Sequence, residues 1–137
     1  MSERYVLDSF AILALLGKEP GSEMVEELLQ KAKAEKAEVS MTWVNVGEVA
    51  YIVERSWGKA RVYQVLGTLE ATAIDIRVAG RELVLTAAEI KAGLPLAYAD
   101  AFAAALAKRE EAVLVTGDPK FEQLEDVLSI EWLPESE

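Results

Sequence analysis

Short apolar runs, each bounded by polar or turn-forming residues, alternate along this chain with longer segments of helical periodicity. Short runs rich in Val, Ile and Leu are typical of buried strands, whereas apolar residues spaced three and four apart are typical of helices. Parallel strands need long crossover connections, which the intervening helices provide. The pattern therefore predicts a three-layer α/β/α sandwich with a central, mainly parallel sheet. The predicted strands are 5–7, 39–41, 73–76, 112–116 and 128–130, and the predicted helices are 10–16, 24–29, 42–58, 59–69, 79–92, 96–108 and a short one after Asp118.

No repeat or flexible linker divides the chain. Its 137 residues suit one compact domain, predicted to span 1–137. The longest apolar runs are shorter than the roughly 18 to 20 residues that a membrane-spanning helix needs. The first residues lack the long apolar stretch of a signal peptide. We therefore expect a cytoplasmic domain that does not interact with a membrane.

The sequence contains no cysteine and no histidine. This excludes a thiol nucleophile, a serine–histidine relay, a histidine acid–base pair, a zinc site of the usual nitrogen and sulfur ligands, and any disulfide. Catalysis would have to rest largely on carboxylates. Hard oxygen ligands of this kind favour magnesium or manganese over zinc or copper.

The charge balance argues against a broad, sequence-independent grip on nucleic acid. There are 14 Lys and Arg residues against 24 Asp and Glu residues, which gives a net charge of −10. The objection is reduced if some of the acids cluster, because bound cations neutralise such a cluster and become the main charges that a phosphate meets. A nucleic-acid substrate is disfavoured by net charge but not excluded.

Two aspartates follow predicted strands. Asp8 comes directly after the first strand, and Asp118 follows the strand 112–116 across one glycine. Ligands of parallel sheets collect beyond the carboxyl ends of the strands, so these acids are candidates for one site. Each also has an ordinary interpretation: Asp8 as the N-cap of a helix, and Asp118, which precedes Pro119, as a helix start.

Two further acids lie in apolar helical surroundings. Glu48 shares a predicted helical face with Val44, Tyr51 and Ile52. A desolvated carboxylate costs on the order of a few kcal/mol unless it has a cation, hydrogen bonds or a retained proton. Asp100 is the conspicuous polar residue of an alanine-rich helix. The alternatives are a helix with hydrated edges for Glu48 and a solvent-facing position for Asp100.

Four short segments, in this order and spacing, resemble the motifs of PIN-domain ribonucleases, in particular the toxins of VapBC toxin–antitoxin pairs. The resemblance covers nearly the whole chain, and it rests on the set because each segment alone is weakly specific. The segments are Tyr5-Val6-Leu7-Asp8-Ser9, Thr42-Trp43-Val44-Asn45-Val46-Gly47-Glu48-Val49, Leu96-Ala97-Tyr98-Ala99-Asp100-Ala101-Phe102 and Leu114-Val115-Thr116-Gly117-Asp118.

The resemblance implies hydrolysis of RNA phosphodiester bonds by a metal-activated water, leaving a 5′-phosphate and a 3′-hydroxyl. It also implies one or two Mg²⁺ or Mn²⁺ ions at the site. Similar toxins form homodimers and are blocked by an antitoxin whose tail occupies the acidic site, so the expected partners are RNA, an antitoxin and a second copy of the chain. The implied catalytic and metal-binding residues are Asp8, Glu48, Asp100 and Asp118, with Ser9, Asn45 and Thr116 as polar support.

Two basic residues are candidates for contact with the RNA. Arg55 and Lys59 follow Glu48 by spacings that return to nearly the same face of a helix. The ordinary interpretation is that basic side chains near a helix C-terminus are favoured by its dipole.

Three alternative functions remain open at this point. The chain could be a PIN-domain nuclease of RNA processing that acts without an antitoxin, or a PIN-like scaffold that binds without cutting. It could also be a magnesium-binding receiver module of signalling. Receiver domains usually carry adjacent acids after the first strand and an acceptor aspartate after the third, whereas here Asp8 stands alone and Asp75 lies within its predicted strand.

Overall fold

The computed structural model describes residues 3–135. The predicted order of strands and helices is confirmed, with one 3₁₀ helix after Asp118. The elements are β1 (Glu3–Leu7), α1 (Ser9–Leu16), α2 (Ser22–Lys33), β2 (Ala37–Thr42), α3 (Trp43–Trp57), α4 (Lys59–Ala71), β3 (Asp75–Arg77), α5 (Arg81–Gly93), α6 (Tyr98–Glu110), β4 (Val113–Thr116), the 3₁₀ helix (Pro119–Leu124) and β5 (Ile130–Trp132).

The strands form a five-stranded sheet in the order β3-β2-β1-β4-β5, and each pairing is parallel. The chain builds the sheet outward from β1 on one side through β2 and β3, then returns to the other side of β1 with β4 and β5. Connections therefore diverge from the carboxyl ends of β1 and β4, which leaves a crevice there. The predicted fold class, a three-layer sandwich with a parallel sheet, is confirmed.

Side chains alternate between the two faces of the central strand. Leu7 packs in a cluster with α1 to α4, whereas Val6 packs in a second cluster with α5, α6 and the 3₁₀ helix. Both side chains are fully buried. Strands covered on both faces read as continuous apolar runs, which is why β1 and β4 are recognisable from the sequence.

Helix α6 is the most deeply buried helix of the second layer. Its alanines from Ala103 to Ala105 have no exposed surface, and Phe102 is also buried. Small side chains let a helix approach its neighbours closely. Asp100, in the first turn of α6, is thereby carried into the interior next to the sheet edge.

The ends of the two edge strands differ from the prediction by one or two residues. The strand β3 covers Asp75–Arg77 rather than 73–76, and β5 covers Ile130–Trp132 rather than 128–130. For β3 the apolar pattern begins too early, because Ile74 is buried in the connection that leads into the strand. The register is set instead by pairing with the neighbouring strand, where Ser40 lies opposite Asp75.

Within residues 3–135, no single helix has the length and apolar character needed to cross a membrane; α5 and α6 reach that measure only as a pair, bent by 119°.

Candidate metal centre

Asp8 lies at the carboxyl end of β1 and is almost completely buried. Its Oδ1 accepts a hydrogen bond from the Ala11 backbone N–H at 2.9 Å, so it caps α1 as the ordinary interpretation predicted. Its Oδ2 accepts a second hydrogen bond, from Thr116 Oγ1 at 2.5 Å. Burial raises the pKa of the Asp8 carboxyl to about 7; the two hydrogen bonds oppose the rise, and the charges of Asp100 and Asp118 add to it.

Thr116 connects Asp8 to Asp118. The Thr116 hydroxyl donates to Asp8 and accepts from the backbone N–H of Asp118 at 3.0 Å. Asp118 in turn caps the 3₁₀ helix, since its Oδ1 accepts from the Lys120 backbone N–H at 3.0 Å. The ordinary interpretation of Asp8 and Asp118 as helix caps is therefore confirmed. Each cap uses one carboxylate oxygen and leaves the other oxygen for another partner.

Asp100 is only 6% exposed to solvent, so the alternative of a solvent-facing aspartate is wrong. Its Oδ2 is buried and has no hydrogen-bond partner among residues 3–135. The Lys120 ammonium lies 3.4 Å from this oxygen, a charge contact without hydrogen-bond geometry. Burial raises the pKa of the Asp100 carboxyl, and the charge of Lys120 opposes that rise. A buried oxygen without a partner is the least satisfied polar atom of this group.

Lys120 is a member of the site that the sequence did not reveal. Its Nζ lies 3.4 Å from Asp100 Oδ2 and 3.6 Å from Asp118 Oδ2, so one ammonium lies between two carboxylates. These two charges raise the pKa of Lys120. Sequence spacing does not identify Lys120 as a site residue, because Asp100 lies on a different element. The only local signal is its place two residues after Asp118, in the first turn of the 3₁₀ helix.

Asn45 supports the site indirectly. It is fully buried, its Oδ1 accepts from Thr42 Oγ1 at 2.6 Å, and its side-chain amide donates to the Ala99 carbonyl at 3.0 Å. The last bond ties the start of α3 to the residue before Asp100. Asn45 thus holds α6 in place rather than contacting the carboxylates.

Glu48 is half-buried and joins the group only through Ser9, whose hydroxyl donates to Glu48 Oε1. The buried residues of α3 are Asn45, Val46, Val49 and Val53. Glu48 therefore lies on the flank of α3, on a face where Val44 and Ile52 are half-buried and Tyr51 is exposed. The alternative of a helix with hydrated edges describes it better.

In the structure Asp8, Asp100 and Asp118 lie close enough for their charges to interact, whereas Glu48 lies at the margin of this acidic group. Within residues 3–135 no three acidic side chains converge as the finished ligand set of one ion would. The residues nevertheless fit a hard divalent cation. Their carboxylate oxygens are the ligands that such a cation prefers, and it would satisfy the Asp100 Oδ2, which lacks a hydrogen-bond partner in the described part of the chain.

The sequence profile of the PIN domain matches residues 5–127, a span that includes all four acids. The chain belongs to the PIN-domain family. The receiver-module alternative is thereby excluded. Asp75, which that alternative would need near an acidic pocket, is an exposed residue at the start of β3 and pairs with Arg77.

Solved structures of similar fold cover almost the whole of this PIN domain. VapBC2 from Rickettsia felis, bound to a DNA fragment from its promoter, is 20% identical with a TM-score of 0.72, over 96% of this chain and 99% of that one. DNA-bound VapBC from Salmonella typhimurium is 19% identical with a TM-score of 0.73, over 96% and 98%. VapC20 from Mycobacterium tuberculosis, a sarcin–ricin loop cleaving toxin, is 16% identical with a TM-score of 0.68, over 95% and 99%.

At these identities the likeness establishes a shared fold. Comparison with curated proteins gives no significant sequence match.

The two basic residues predicted for RNA contact lie on different helices of the PIN domain. The Arg55 guanidinium lies 5.0 Å from the centroid of the Tyr51 ring on α3. Helix α3 ends at Trp57, and Gly58, with φ of 88°, separates it from Lys59 in α4. The helical-face argument is therefore wrong for Lys59, since spacing from Glu48 has meaning only within one continuous helix.

Proposed function

We propose that this PIN domain is a metal-dependent endoribonuclease whose carboxylates hold Mg²⁺ or Mn²⁺, one or two ions per site. The observation that carries the proposal is the buried Oδ2 of Asp100, which has no hydrogen-bond partner among residues 3–135 and lies beside two further aspartates at the carboxyl edge of a parallel sheet. Burying carboxylates together is unfavourable unless a positive charge compensates them. In the proposed assignment Asp8, Asp100 and Asp118 hold the ion, and Glu48 contributes from the margin.

The bound ion would supply an activated water and neutralise charge on the scissile phosphate. The protein side chains hold and orient the ligands. Thr116 fixes the Asp8 carboxylate against Asp118, and Asn45 fixes the start of α6 and hence Asp100. Ser9 orients Glu48. We assign Arg55 and Lys59 a share in RNA binding on the basis of their positive charge.

The toxin role is a second part of the proposal. The similar solved structures include VapBC complexes and a VapC toxin, each matched over nearly its full chain. By that likeness we propose that the protein forms a homodimer and that an antitoxin blocks its acidic site. The alternative is a nuclease of RNA processing without an antitoxin. Growth arrest on expression, relieved by a small protein encoded next to this gene, would favour the toxin; arrest without such a gene would favour the alternative.

RNA cleavage by the purified protein tests the nuclease assignment. We expect cleavage of a mixed RNA pool with Mg²⁺ or Mn²⁺ and none with a chelator. Asp8→Asn and Asp100→Asn are expected to lower the rate at least about 100-fold, and Glu48→Gln is expected to lower it less. Asp126→Asn, which alters an exposed aspartate, is the matched control and is expected to cleave at the parental rate. If a folded Asp100→Asn variant cleaved as fast as the parent, the site assignment would be wrong. Binding of RNA without cleavage would favour the scaffold alternative.

A further inference from the structure

One ammonium group lies where two carboxylates from different elements approach each other. Lys120 Nζ is 3.4 Å from Asp100 Oδ2 and 3.6 Å from Asp118 Oδ2. Asp100 comes from α6, and Asp118 precedes the 3₁₀ helix that carries Lys120. The lysine is the only cation that ion-pairs with either carboxylate among residues 3–135.

The contact has the character of a compensating charge rather than a fixed bond. Asp100 Oδ2 has no hydrogen-bond partner within the described residues, although it is buried and the ammonium is close. An Arg fork would bind a carboxylate through two directed hydrogen bonds, whereas an ammonium on a four-carbon stem acts as a mobile point charge. The structure therefore places a weakly directed cation against an oxygen that still lacks a directed partner.

The ammonium is free to leave while its backbone stays in place. The Lys120 side chain is 51% exposed, so its stem is not held by packing. Its backbone N–H donates to Asp118 Oδ1 at 3.0 Å, which anchors the residue at the edge of the group. Rotation of the side chain toward solvent would expose Asp100 Oδ2 and Asp118 Oδ2 without moving the main chain.

We propose that Lys120 is an exchangeable counter-cation, which occupies the position between Asp100 and Asp118 in the metal-free protein and is displaced when a divalent ion binds. This inference rests on the proposed metal site. In the metal-free protein the ammonium offsets the repulsion between the two carboxylates. The metal ion must therefore compete with a covalently attached cation, which lowers the apparent metal affinity.

Calorimetric titration of the metal-free protein with Mn²⁺ at one fixed pH tests the exchange. Lys120→Met removes the competitor and is expected to bind Mn²⁺ about ten-fold more tightly than the parent, within the usual range for coupling between two bound groups. Metal-free Lys120→Met is expected to have a lower Tm than the parent and a larger rise in Tm on adding Mn²⁺. Lys91→Met, an exposed lysine on α5, gives the same change of net charge and is expected to match the parent in both measurements.

The outcomes separate this inference from the nuclease proposal. Equal Mn²⁺ affinity and an equal Tm rise for the parent, Lys120→Met and Lys91→Met would overturn the exchange and leave the metal site standing. Failure of the parent and every variant to bind Mn²⁺ would overturn both. If Lys120→Met fails to fold, Lys120→Gln takes its place with the same expected tightening. Lys120→Arg keeps the charge and can bind a carboxylate through two directed hydrogen bonds, so its Mn²⁺ affinity is expected not to exceed that of the parent.

Discussion

The Thr116 hydroxyl donates a 2.5 Å hydrogen bond to Asp8 Oδ2, across 108 residues of sequence. The sheet register explains the meeting: Leu7 pairs with Val115 in adjacent parallel strands, so the next residue of each strand, Asp8 and Thr116, lie side by side. The same hydroxyl accepts from the Asp118 backbone N–H. One buried threonine therefore fixes the relative positions of two of the proposed ligands.

Replacing Thr116 is expected to impair metal binding more than folding. Thr116→Val keeps the shape but removes the donor to Asp8 and the acceptor for Asp118, so we expect RNA cleavage and Mn²⁺ affinity to fall about 10- to 100-fold. Thr116→Ser keeps the hydroxyl and is expected to retain most of both. Parental cleavage by a folded Thr116→Val variant would show that the bridge has no part in the site.

The buried Asp8 carboxyl predicts how stability depends on pH in the absence of metal. Its pKa rises from 3.8 to about 7 on folding, because burial disfavours the charged form. Above about pH 4 the unfolded chain loses this proton while the folded protein keeps it. The stabilisation is therefore complete below about pH 4, is lost progressively as the pH rises from there through about 7, and does not fall further above that.

Urea denaturation in chelator at several pH values measures this effect. Between pH 4 and 8 we expect the parent to lose a few kcal/mol of unfolding free energy relative to Asp8→Asn, since each pKa unit is worth about 1.4 kcal/mol. Both proteins keep the other acids, so their general charge repulsion cancels in the comparison. Parallel pH profiles for the two proteins would contradict a raised Asp8 pKa.

Asn45→Leu is expected to destabilise the fold by about 1–3 kcal/mol, because the Ala99 carbonyl loses its side-chain donor and the Thr42 hydroxyl loses its acceptor. Thr68→Val removes an exposed side-chain bond to a backbone carbonyl on α4 and serves as the control, with an expected change within about 0.5 kcal/mol. The unfolding free energy in urea is the measurement. Equal unfolding free energies for Asn45→Leu and Thr68→Val would contradict the inference that Asn45 positions α6.

Gly117 lies against the Phe10 ring. A Cβ at this position would be 2.3 Å from Phe10 Cε1, so Gly117→Ala must displace the ring and is expected to cost about 1–3 kcal/mol. Adding Phe10→Ala is expected to recover most of that cost in a double-mutant cycle. Gly67→Ala, where a Cβ meets nothing within 4 Å in α4, is expected to stabilise by about 0.5–1 kcal/mol. If the effects of Gly117→Ala and Phe10→Ala on the unfolding free energy were simply additive, the steric argument would be contradicted.

The sequence predicts those parts of the site that depend on strand ends and on composition. Asp8 and Asp118 follow strands whose continuous apolar character marks them as central, so their shared edge follows from the topology of parallel sheets. Asp100 is predictable because a carboxylate in an alanine-rich helix is carried wherever that helix is buried. These inferences need only the local sequence pattern and the fact that parallel strands are joined by crossover connections.

What the sequence does not predict depends on contacts between distant elements. The position of Lys120 between Asp100 and Asp118 requires the docking of α6 against the 3₁₀ helix. The degree to which Glu48 is buried is not predictable, because spacing gives the face of a helix but not what covers that face. The ends of the edge strands differ from the prediction because their register is set by the neighbouring strand.

Anomalous diffraction from a crystal soaked in Mn²⁺ tests the central claim, that scattered acids converge into one cation site, most directly. We expect a manganese peak within coordination distance, about 2.0–2.6 Å, of oxygens from Asp8, Asp100 and Asp118, with the Lys120 ammonium turned away. A well-ordered crystal with no peak at this edge of the sheet, or with manganese bound only elsewhere on the surface, would contradict the account.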